Sequence, residues 1–195
     1  MTEAKRRWGD AFGDWLAQNS PPGWEWDWPY QRLIRQHLDN VTRGKCKRLM
    51  LFLPPRHGKT EMVTVRYPVW RMAQEPGLRV IVAAYNQTLA SKFSRKARRV
   101  AQSAGLRISD ERSAVEDWET AQGSSFRAVG VGGGVTGQGG DLIIPDDPIK
   151  SREEANSLTY QERVFDWYTD DLYTRLEPGG AIILILSRWH ENDLA

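Results

Sequence analysis

Two short runs in this chain carry residue types suited to handling phosphate. The first is Pro54-Pro55-Arg56-His57-Gly58-Lys59-Thr60. Gly58 lets backbone approach an anion with no side chain between them. The amides that open a following helix point at that anion, and the helix dipole adds to the attraction. Lys59 supplies charge for β- and γ-phosphates, and the Thr60 hydroxyl is a magnesium ligand. Arg56, inside the loop, is placed to stabilise charge on a transferring phosphoryl group; the alternative is a surface arginine that holds the loop by a salt bridge. The second run is Asp141-Leu142-Ile143-Ile144-Pro145-Asp146-Asp147-Pro148, two carboxylates at the end of an apolar stretch. One carboxylate in such a place holds magnesium, usually through water. The next orients or deprotonates the attacking water. The expectation is Asp146 for the metal and Asp147 for the water. Each run also has a plainer reading: Gly-Lys-Thr fits an ordinary turn before a helix, with Leu53 where a first glycine would fall, and Asp and Pro are common turn formers.

Both runs need strands that deliver them to one edge of a sheet. The segment from Arg48 to Leu53 is nearly continuous in apolar residues and predicts a strand buried on both faces. The phosphate loop follows, and then a helix from Lys59 to Gln74 that Pro68 should kink. Further strands are expected at Leu78 to Ala84, Ser125 to Val131, Leu142 to Ile144 and Ala181 to Leu186. Helices are expected at Thr88 to Ala101 and over most of Ser151 to Leu176, with Pro178-Gly179-Gly180 as a turn. Pro145 has no amide to give a sheet and should close its strand. Near the N-terminus, Lys5 to Gln18 places Trp8, Phe12, Trp15 and Leu16 on one helical face. A second helix runs from Tyr30 to Asn40 behind Pro29. Strands alternating with helices predict an α/β sandwich with a mainly parallel sheet, whose ligands sit at the carboxyl ends of the strands. Gly132 to Gly137 satisfies G-x-G-x-x-G, but it leads into a strand rather than a helix, so a dinucleotide-binding reading is rejected.

The 195 residues and 27% charge suit one globular domain rather than a disordered chain. A single cysteine, Cys46, excludes an internal disulfide and a cysteine zinc cluster. The longest apolar run, Ala181 to Leu186, falls far short of the ~20 residues that span a bilayer, and the charged N-terminus lacks the apolar core of a secretion signal. A net charge of +2 permits nucleic-acid contact without demanding it. Lys92, Arg95, Lys96, Arg98 and Arg99 fit either a grip on DNA phosphates or a solvated helix face.

Taken in order, these motifs resemble the ATPase domain of the large terminase subunit of tailed bacteriophages, over Trp28 to Leu194. Trp28-Pro29-Tyr30-Gln31 is similar to the family's adenine-recognition segment, with Gln31 as the base contact. Leu53 to Glu61 resembles its deviant P-loop. Val80 to Val100 resembles its next block, Gly132 to Lys150 its glycine loop and acidic strand, and Ser187 to Leu194 the motif that couples hydrolysis to motion. The resemblance implies a three-layer P-loop NTPase fold of the RecA-like kind. It implies ATP and Mg2+ as cofactors, bound by Gln31, Pro55, Arg56, His57, Gly58, Lys59, Thr60 and Glu61, with Thr60 and Asp146 on the metal. Asp147, Asp146 and Arg56 would be catalytic, and Ser187 and Arg188 would couple. The family often carries a trans-acting arginine at or near the positions of Thr136 or Gln138; both are uncharged here, and Arg127 and Arg188 are the possible substitutes. The implied division is an N-terminal helical segment with the adenine region over residues 1–45 and an ATPase core over 46–195. Family members continue into an RNase H-like nuclease; no acidic cluster is left over here for its two-metal site, so an isolated ATPase half is expected. The implied activity is hydrolysis of ATP to drive double-stranded DNA into a procapsid. Portal protein and small terminase subunit would be partners in a homo-oligomeric ring, in the host cytoplasm and at the portal, with no membrane involved. A helicase-like translocase core and a nucleotide-binding module without turnover are the alternatives.

Overall fold

Alternating apolar side chains build the sheet. In the computed structural model, which describes residues 11–135 and 137–195, seven strands form one sheet: β1 (Arg48–Phe52), β2 (Arg79–Ala84), β3 (Ile108–Ser113), β4 (Asp117–Thr120), β5 (Ser125–Gly130), β6 (Gly140–Pro145) and β7 (Leu176–Leu186). Their order across the sheet is β1-β7-β6-β2-β5-β4-β3. The β1–β7, β6–β7, β2–β6 and β2–β5 pairs are parallel, whereas β4 runs antiparallel to both β5 and β3.

Parallel strands need covered faces, because their crossovers pack helices on both sides. Here one face of β2 carries Val80, Val82 and Ala84 into a cluster with Val63, Tyr67, Trp70 and Phe93. The opposite face carries Ile81 and Ala83 into a second cluster with Trp167 and Leu172. This division follows the two-residue period of a strand and gives three layers. Ile143 and Ile144 of β6 are both fully buried, one on each face; each such side chain contributes about 1.5–3 kcal/mol relative to exposure. The first layer consists of α1 (Ala11–Gln18), α2 (Pro29–Thr42), α3 (Tyr67–Gln74) and α4 (Gln87–Ser103). Phe12 of α1 packs edge-on to Tyr67 and tilted against Trp70, so Phe12 and Leu16 are core, with Trp15 partly buried beside them. Trp8 and Thr136, both singled out from the sequence, lie outside the described residues. The other layer contains α5 (Arg152–Ala155), α6 (Leu158–Asp166) and a π-helical turn at Trp167–Leu172.

Five elements differ from expectation. β1 is an edge strand with one neighbour, β7, and exposes Met50 and Phe52 while burying Leu51. It is therefore not buried on both faces: α2 and the phosphate-loop helix cover one side only. The helix after the phosphate loop opens as a π-helix, Thr60–Arg66, and becomes α-helical at Tyr67. The wider turn ends at Arg66, two residues before Pro68, whose ring would meet the carbonyl four residues earlier in a regular α-helix. β3 and β4 were not expected, since Asp110, Glu111, Arg112, Asp117 and Glu119 dilute their apolar alternation; they extend the sheet where one face is wet. Finally, Pro178-Gly179-Gly180 falls within β7 as a bulge, where the pairing with β6 jumps from Gly140↔Leu176 to Leu142↔Ala181.

Candidate active site

The site forms where β1, β6 and β7 end. Because these neighbours are parallel, their carboxyl ends, and the loops that follow, meet at one edge. The loop after β1 turns through Arg56 at φ 65° and Gly58 at φ 76°. Gly58 needs no side chain for this left-handed turn, and a Cβ there would stand 3.7 Å from the Trp26 ring. The turn aims the buried Lys59 inward. Its Nζ lies 2.9 Å from Asp147 Oδ2 and donates to Ser187 Oγ at 2.5 Å and to the Leu53 carbonyl at 3.4 Å.

β6 ends at Pro145, which is the last residue of the strand, as its missing amide requires. Asp146 continues the line: its N–H donates to the Ala83 carbonyl, and it bridges to Ile185 of β7. Asp147 then breaks away with φ 47°. Its two oxygens accept from the Ser187 backbone N–H at 2.5 Å and from Ser187 Oγ at 3.3 Å. Among the described residues, Arg56 and Asp147 are the two non-glycine positions with positive φ, and both sit in this site. Left-handed backbone at ordinary residues costs of order 1–3 kcal/mol and persists where its surroundings hold it.

Asp146 is fully buried, and the Thr64 hydroxyl donates to its Oδ2 at 2.6 Å. Its Oδ1 is buried without a hydrogen-bond partner. Burial pushes its carboxyl up to about 6; the hydroxyls of Thr64 and Thr60 and the Lys59 ammonium oppose that rise, while the Asp147 charge adds to it. A buried oxygen with no partner, flanked by a threonine hydroxyl, suits a hard cation. Among the described residues there is no cluster of three His, Cys, Asp or Glu side chains placed to hold a metal. Magnesium does not require one, since it takes one or two carboxylates and completes its shell with phosphate and water.

Around this centre the other expected residues take several positions. His57 Nδ1 donates to the Pro55 carbonyl at 2.9 Å, and its ring meets Tyr30 edge-on at 5.8 Å. Gln31 is buried, and its Oε1 accepts the Trp28 N–H, capping α2. Glu61 faces away from the loop, pairing with Arg66 at 2.7 Å and with Lys96. Arg66 lies with its guanidinium 4.8 Å from the Trp24 ring centre. Arg188 stays within its own loop: its Nε is 2.9 Å from Asp193 Oδ1, and its guanidinium lies 5.3 Å from the Phe52 ring centre. Arg127 lies in β5, paired with Ile81, away from the carboxyl edge. In the basic run, Lys96 is tied to Glu61 and Arg98 donates to the Ser113 carbonyl. A cavity of about 340 Å³ opens beside the loop, lined by residues 52–55 and 187–189. Thr64 and Asp193 escaped the sequence reading. The signal for Thr64 was its place four residues after Thr60, on the same helical face; Asp193 had none beyond lying in the motif.

A mixed, mainly parallel sheet that gathers a glycine-turned lysine and paired aspartates at one edge defines a RecA-like domain of the large-terminase kind. The chain belongs to the terminase large subunit family, T4likevirus-type, N-terminal, whose model matches residues 50–195. Its fold is similar to the large terminase of bacteriophage HK97, with a TM-score of 0.64 at 13% identity; the match covers 100% of this chain and 40% of that one. The large terminase of a thermophilic bacteriophage, solved in complex with ADP, aligns with a TM-score of 0.48 at 12% identity over 76% of this chain and 37% of its own. The chain thus spans about two fifths of the length of either terminase. No curated protein matches it.

Proposed function

We propose that this chain is the ATP-hydrolysing motor domain of a phage DNA-packaging terminase, acting on double-stranded DNA. The observation that supports it best is the Lys59–Asp147–Ser187 contact beside the buried Asp146, at the shared carboxyl edge of β1, β6 and β7. The β- and γ-phosphates of ATP take over Lys59 and the amides at the start of the Thr60–Arg66 turn. That exchange frees the Asp147 carboxylate. Water attacks the γ-phosphorus in line, a proton passes from the water to Asp147, and the bond to the β–γ bridging oxygen breaks with its electron pair leaving on ADP. Asp146 and Thr60 would hold Mg2+, which neutralises charge on the phosphate oxygens. Ser187 touches both Lys59 and Asp147, and so carries the change in the phosphate loop to β7 and the Arg188–Asp193 loop; this is its coupling role. Gln31 reads the base while capping α2. Within the assembled motor, portal protein and small terminase subunit are the partners, and a ring of copies at the procapsid portal in the host cytoplasm is the working form.

Phosphate release from Mg-ATP, with and without double-stranded DNA, tests the reading. Lys59→Ala should release no phosphate and bind ATP more weakly, because Lys59 is the only lysine in the loop and its loss leaves the β/γ charge uncompensated. Release at the unmodified rate by that variant would overturn the assignment.

A further inference from the structure

We propose that Thr64 is a positioning residue for the magnesium site; the inference rests on the reading of Asp146 and Thr60 as the metal pair. A threonine inside a helix usually turns its hydroxyl back to the carbonyl four residues earlier. Thr64 instead donates across to another element, at 2.6 Å to Asp146 Oδ2. Both residues are fully buried, so water cannot take the place of this bond. The carboxylate has two oxygens and one fixed partner. Rotation about its terminal torsion would break the Thr64 contact and bury a second unpartnered oxygen. Thr64 therefore fixes the plane of the carboxylate and leaves its other oxygen, Oδ1, without a hydrogen-bond partner. Thr60 lies one turn earlier on the same face of the helix, and its hydroxyl is close enough to act on the same carboxylate. On this reading the two threonines divide the work: Thr64 holds Oδ2 of Asp146, which leaves Oδ1 and the Thr60 hydroxyl for the cation. Both threonines belong to the π-helical turn Thr60–Arg66. Groups behind a ligand of this kind, when removed, typically weaken metal affinity about 10- to 100-fold.

The test is a magnesium titration of binding of a fluorescent ADP analogue (mant-ADP) to the full 195-residue chain, without turnover. Thr64→Val keeps the shape and removes the hydroxyl; it should raise the half-saturating Mg2+ about tenfold or more while binding measured in EDTA stays as it was. Thr64→Ser should return the midpoint to within about twofold. In an Asp146→Asn background, Thr64→Val should produce no further shift, which a general packing defect would not reproduce. Should the valine protein fail to fold, Thr64→Ala in the same titration decides the matter against Thr64→Ser. An unchanged magnesium midpoint in a folded variant lacking the hydroxyl, or no rescue by serine, overturns the role of Thr64 and leaves the site reading standing. If the unmodified chain binds the analogue with no magnesium dependence, the site reading falls and the role of Thr64 with it.

Discussion

Asp146 is the residue on which fold and chemistry conflict most. Its carboxyl is raised from 3.8 to about 6 chiefly by burial, so above pH 6 the metal-free protein carries a charged group that its surroundings resist. Between about pH 4 and 6 the folded chain takes up the proton before the unfolded chain does, so this contribution to stability improves as pH falls. The cost of the charged form above pH 6 is on the order of 3 kcal/mol. Asp146→Asn should therefore melt higher than the unmodified protein at pH 7.5 in EDTA, with a gap that closes as pH drops towards 4. Thermal melts across that range check it, and a gap independent of pH would show that burial of charge is not the cause. The identities of Lys59, Thr60, Asp146 and Asp147 were legible in the sequence because Gly-Lys-Thr and paired aspartates at a strand end are local patterns. The left-handed backbone of Arg56 and Asp147 was not, since arginine rarely adopts φ above zero and aspartate, though enriched there, does so too seldom to mark one position. Nor was the capping by Gln31, whose side chain closes the start of its own helix and depends on the path of Trp28.

At the scale of elements, a close backbone approach holds the sheet to its helices. Gly130 ends β5 against the start of α4; a Cβ there would fall 2.3 Å from the Gln87 nitrogen and 2.6 Å from the Asn86 carbonyl carbon. Neither atom can move without disturbing the Asn86 cap, which accepts the Leu89 N–H at 2.9 Å. Gly130→Ala should cost about 2–3 kcal/mol by overpacking, roughly a 5–10 °C lower melting point in a domain of this size. A melt within a degree of the unmodified chain would contradict that packing. The strong strands β2, β5, β6 and β7 could be read from apolar runs alone. The weak ones, β3 and β4, depend on pairing with a neighbour: Trp118 is buried by stacking on Phe126 at 5.1 Å and by its bond to Ser94, a long-range arrangement that no local window contains. The π-helical opening of the phosphate-loop helix was half legible, as the kink expected from Pro68.

For the whole molecule, the sheet order explains both what the chain can do and what it needs. The carboxyl edge supplies a lysine, two carboxylates and a serine from one copy, but Arg188 is held by Asp193 and Arg127 lies mid-strand. On the proposed reading, an arginine donated between copies is worth roughly 10³ to 10⁵ in rate. Specific activity should then rise with protein concentration, and where Arg188 or Arg127 acts across the interface its alanine variant should lose the rise; a flat profile on dilution, with Arg56→Ala inactive, would instead place the arginine within one copy. The position of β1 at the margin of the sheet has a further consequence. The strand that carries the phosphate loop is hydrogen-bonded on one side only, so its amides should exchange with deuterated solvent sooner than those of β2 and β6, which are held from both sides. A ligand that grips the loop also grips that strand. Saturating nucleotide should therefore slow exchange most in residues 48–53, making the least supported strand of the parallel block the one whose order reports occupancy.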